Sequence, residues 1–138
     1  MRLNDHVTII NSRIYHGWHS GKTKTKERAA WEDAVPKLRP RSVGRVSYLP
    51  DIAYGNDLLC GGKRSPLFDT LRKREDTGQI EQKMVDTALT SDLLWYCRSE
   101  SRQAKRGDLP PALAIIVGDD DDLVPGAIVS EAWGIFEQ

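Results

Sequence analysis

The chain has 138 residues, 39% of them hydrophobic, and equal numbers of acidic and basic side chains, 20 of each. That size and composition suit one folded domain with its own core, over residues 1–138, and exclude a collagen-like, disordered or disulfide-stapled chain. The longest apolar run, Ala112 to Val117, is too short to cross a bilayer, and Cys60 and Cys97 lack the spacing of a zinc or dithiol motif.

The amino terminus carries polar residues where a secretion signal places its apolar stretch, so a cytoplasmic protein with reduced thiols is the expectation. In chain order, the β-branched residues of His6 to Tyr15 predict a strand, or a short hairpin if Asn11-Ser12 turns. Gly17 and Gly21 predict a loop. Lys22 to Lys26 alternates Lys and Thr, as a solvated loop or an edge strand does. Glu27 to Val35 has helical composition and Pro36 limits it. Alternation from Ser42 to Leu49 predicts a second strand ending at Pro50.

Asp51 to Arg64 is irregular. Ser65 and Pro66 suit a cap and a first helical position, which predicts a helix ending at Thr77-Gly78. Gln79 to Arg106 carries the strongest helical periodicity, with Ile80, Met84, Val85, Ala88, Leu89, Trp95 and Tyr96 on one arc. Glu81 and Asp92 share that arc, and Thr90-Ser91-Asp92 can cap, so a break near Ser91 stays open. Ala112 to Val117 reads as a buried strand. Ala127 to Val129 and Trp133 to Phe136 read as one or two more, giving an acidic-tipped hairpin. The expected class is α+β: a mostly antiparallel sheet of about four strands with two to three helices on one face.

The zero net charge hides a gradient. Met1 to Arg45 is rich in Lys and Arg, and Leu109 to Gln138 has six carboxylates and no Lys or Arg. The two ends either pair within the fold, associate between chains, or present separate surfaces to partners. In the basic third, Lys22, Lys24, Lys26, Arg28, Arg39 and Arg41 suit backbone phosphates, with Trp18 and Trp31 interspersed for stacking. Gly61-Gly62-Lys63-Arg64 before a predicted helix suits an anion, although it departs from the phosphate-loop pattern at Asp57 and at Arg64 itself. His16 and His19 flank Gly-Trp, and Asp119 and Asp121 lie in a run of four aspartates; these are weaker metal candidates.

No catalytic motif is present. The expected function is therefore a non-catalytic accessory or inhibitor protein that docks a charge-polarised surface on a nucleic acid or a protein partner, with no cofactor and no membrane. The alternative is a small enzyme or binding protein for a phosphorylated small molecule at the Gly61–Arg64 loop.

Overall fold

A computed structural model describes residues 6–60, 65–106 and 114–133. The amino-terminal half is built from short strands. β1 (Val7–Ile9) runs parallel to β6 (Val46–Tyr48), which pairs antiparallel with β5 (Arg41–Val43). β2 (Ser12–Ile14) runs parallel to β7 (Ile52–Tyr54). Between the two parallel pairings, Ile10-Asn11 face the three residues Leu49-Pro50-Asp51. The extra residue forms a bulge, closed by Leu49 N–H donating to the Ile9 carbonyl and Ser12 N–H donating to the Asp51 carbonyl.

Two hairpins share one turn chemistry. β3 (His19–Ser20) and β4 (Thr23–Lys24) are joined by Gly21-Lys22, and β5 and β6 by Gly44-Arg45. Gly21 has φ 55° and Gly44 φ 58°. A first turn residue with positive φ matches the twist of paired strands and favours glycine. Each turn thereby puts a cation at its tip.

α1 (Lys26–Ala34) fulfils the expectation of a helix before Pro36. Thr25 caps it, accepting from Arg28 N–H through its side chain. A 3₁₀ turn over Val35–Lys37 follows.

The predicted helix after Ser65 is not formed. Ser65–Pro66 is a strand, β9, paired with β8 (Asp57–Leu58), and β10 (Leu71–Lys73) pairs with β11 (Ile80–Gln82). Thr77-Gly78 ends no helix. It closes a hairpin loop in which Gly78 N–H donates to the Arg74 carbonyl and Arg74 is held by Asp76. Strand pairing satisfies the backbone groups that a helix would have satisfied locally, so non-local partners override the cap signal.

α2 (Val85–Lys105) is one helix, unbroken at Ser91; it starts later than the expected Gln79 because Ile80–Gln82 pairs with β10 instead. Residues 114–120 have no regular structure and are exposed, which corrects the strand expected over Ala112 to Val117; residues 111–113 lie outside the described ones. The acidic-tipped hairpin is also corrected. Asp121–Leu123 forms a 3₁₀ turn that leads into α3 (Val124–Trp133), with Pro125 in its first turn, where a missing N–H matters least. A short apolar run does not distinguish strand from helix. Leu123, Gly126 and Ser130 form the buried face of this region, and residues 134–136 of the expected last strand lie outside the described residues.

The chain is thus α+β. Among the described residues the strands make a three-stranded mixed sheet and four two-stranded pairings in place of one four-stranded sheet. Among the described residues no helix is long and apolar enough to cross a membrane.

Candidate functional site

Among the described residues, buried side chains are more often polar than apolar. Trp18, Ala88 and Leu123 are buried with His19, Thr25, Arg28, Asn56, Thr70, Asp92 and Ser130. Buried polar groups persist only when they are hydrogen-bonded, and these organise the molecule.

One network joins the parallel strands to α2. Arg13 on β2 forms a 2.9 Å ion pair with Asp92 on α2. Asp92 also accepts from the Tyr15 hydroxyl (3.0 Å) and from Leu59 N–H (2.8 Å). Burial pushes the Tyr15 phenol far above its usual pKa, so it stays protonated and donates. Asp92 falls on the apolar arc of α2 because it pairs inward with the half-buried Arg13 on β2.

A second network joins α1 to the strands. The Arg28 guanidinium lies 3.5 Å from the centre of the Tyr54 ring, donates to Asn56 Oδ1 (2.9 Å) and pairs with Glu32 (2.8 Å). Lys24 donates to both Glu32 oxygens. These hydrogen bonds, Lys24 first, hold the Glu32 carboxyl below its usual pKa. Trp18 meets the Tyr54 ring edge-on and donates from its indole to the Ile14 carbonyl.

These networks divide the expected cation set. Arg28 is buried and occupied, so it serves the core and not a phosphate surface. Lys24 is exposed but engaged with Glu32, and Arg39 is exposed while donating to the Pro36 and Leu38 carbonyls. Lys22, Lys26 and Arg41 are exposed, and among the described residues they make no ion pair. Trp18 is core, whereas Trp31 is 38% exposed. Lys63 and Arg64 lie outside the described residues.

The metal candidates are not assembled. His19 is buried against Asn56, and His16 stacks at an angle on Trp18, 5.0 Å between ring centres. Asp119 and Asp121 are exposed, and Asp120 caps the 3₁₀ turn by accepting from Asp122 N–H. Among the described residues no three His, Cys, Asp or Glu side chains group closely enough to hold a metal ion.

Sequence reasoning missed the cleft. It has a volume of about 10 Å³ and is lined by Tyr15 and His16 just past β2, by Gly55 and Asn56 just past β7, and by Met84, Val85 and Ala88 around the start of α2. His16 Nδ1 is buried there without a hydrogen-bond partner among the described residues. The cleft lies past the carboxyl ends of the parallel strands β2 and β7 and is about the size of one water molecule. The signal in the sequence was the pair Tyr15-His16 ending one strand and Tyr54-Gly55 ending another, which only the parallel pairing brings together.

Gly126 packs against Thr90 of α2, and Ser130 Oγ donates to the Gly126 carbonyl. Asp86 lies in the first turn of α2 and Asp119–Asp122 precede α3, and helix dipoles favour negative charge at both places. Comparison with family models, curated proteins and solved structures finds no match to this chain.

Proposed function

We propose that the chain is a non-catalytic nucleic-acid-binding protein that meets phosphates with Lys22, Lys26 and Arg41, flanked by Lys24 and Arg39. The observation that carries this reading is where the ion pairs fall. In the basic third Lys24 and Arg28 pair with Glu32, Lys37 with Asp33, and Arg13 with Asp92 of α2. Among the described residues no ion pair reaches Asp119–Asp122. This supports a basic surface that Asp119–Asp122 do not neutralise, and exposed cations suit a polyanion. The test is fluorescence anisotropy with labelled single- and double-stranded RNA and DNA over a salt series. Binding that weakens steeply with salt supports the reading, and no binding at low salt removes it.

A further inference from the structure

An arginine side chain only donates hydrogen bonds. Arg28 Nη1 donates to the side-chain amide of Asn56 at 2.9 Å, so the amide oxygen faces Arg28. The amide NH₂ must then face the other way, toward His19 Nδ1 at 3.1 Å. It follows that His19 Nδ1 accepts and the ring proton sits on Nε2. The chain Arg28–Asn56–His19 is buried along its whole length. It ties α1 to the 52–57 segment and to the β3–β4 hairpin, whose position is also set by His19 N–H donating to Thr70 Oγ1.

We propose that His19 is an acid-sensitive latch: a second ring proton, placed on Nδ1, sets donor against donor at Asn56 and releases the hairpin and α1 from the Tyr54 strand. The surroundings support this direction. Arg28 on α1 and Lys24 on β4 both disfavour a positive ring, while Asp57 on β8 and Glu32 on α1 favour it. Thr70 and the edge-on Phe68 ring at 5.5 Å, which also lie against His19, carry no charge. Burial is the largest influence, and together with the two cations it lowers the His19 pKa from its ordinary 6.5. The unfolded chain then binds the proton first, so His19 favours the folded state above pH 6.5 and that advantage is lost as pH falls below it. With one proton involved, the unfolding equilibrium constant rises by up to about tenfold per pH unit.

The experiment uses the whole protein labelled with ¹⁵N. Histidine ring spectra at pH 7.5 should show an unprotonated Nδ1 and a protonated Nε2 for His19. Between pH 7.5 and 5 the backbone amides of residues 19–34 should shift along one curve, with a midpoint below that of a free histidine. In His19→Asn, whose side-chain oxygen keeps an acceptor near Nδ1, that curve should vanish. The proposal is overturned if Nδ1 carries the proton at pH 7.5, if the midpoint is at or above the free value, or if residues 19–34 do not follow the titration. The ring spectra and midpoint come from the unaltered chain, so they decide even if His19→Asn fails to fold. None of these readings depends on whether the chain binds nucleic acid.

Discussion

Arg13 and Asp92 face each other across the junction of β2 and α2 at 2.9 Å, with the Asp92 side chain 3% exposed. A buried carboxylate that loses its cation remains buried and uncompensated. Arg13→Met should therefore destabilise the fold by about 3–5 kcal/mol, whereas a well-packed apolar pair such as Arg13→Met with Asp92→Leu should recover much of the loss. Urea denaturation of the two single variants and the double variant checks this, and additive losses would contradict it.

The helix pair depends on Gly126. A Cβ there would stand 2.5 Å from Thr90 Cγ2. Gly126→Ala should cost about 1–3 kcal/mol through overpacking. Thr90→Ala in the same chain should return part of it, because the two sites share one contact. A thermal-melt cycle of the four proteins measures the coupling, and a coupling of zero would mean the helices separate without strain.

The cation surface has a quantitative signature. Replacing Lys22, Lys26 and Arg41 by Gln should weaken duplex binding about equally for all sequences. It should also reduce the slope of log affinity against log salt by roughly 0.9 for each phosphate contact removed. Anisotropy titrations at four or more salt concentrations read both quantities. Replacing Arg28 belongs to a different experiment, since its loss would unfold the core around Tyr54.

Glu32 sets an acid limit separate from His19. Lys24 and Arg28 lower its pKa from the ordinary 4.5. A carboxylate with a depressed folded pKa contributes stability that is full above the unfolded value and is lost as pH falls through the folded one. Glu32→Gln should therefore be less stable than the unaltered chain at neutral pH. The difference should shrink as pH falls below about 4.5. Melting temperatures from pH 7 to pH 3 test the sign.

The sequence made some of this legible and hid the rest for physical reasons. α1 and α2 were readable because helical contacts are local: Pro36 bounds one, and a long apolar arc marks the other. Asp92 looked like a flaw in that arc because its partner, Arg13, is distant in sequence. Ser65-Pro66 has the chemistry of a helix start, but it pairs with Asp57-Leu58, which no local pattern reveals. Ala127 to Val129 is apolar enough for a strand, but it lies within α3, whose Gly126 packs on Thr90 of α2. Of the expected phosphate-binding cations, Lys22, Lys26 and Arg41 were recognisable as exposed. Arg28, in similar company, was indistinguishable from them until Tyr54 and Asn56 closed around it.

The bulge at Leu49-Pro50-Asp51 has a consequence for how the chain tolerates changes in length. Two residues face three there, so losing Pro50 would leave Val46–Tyr48 and Ile52–Tyr54 opposite the partners they already have. A deletion inside β7 has no such slack. Removing Ala53 would bring Tyr54 to the opposite side of the strand, because successive side chains alternate, and Arg28 would lose the ring it rests on. Insertions and deletions should therefore be accepted at the surface kink and refused three residues later.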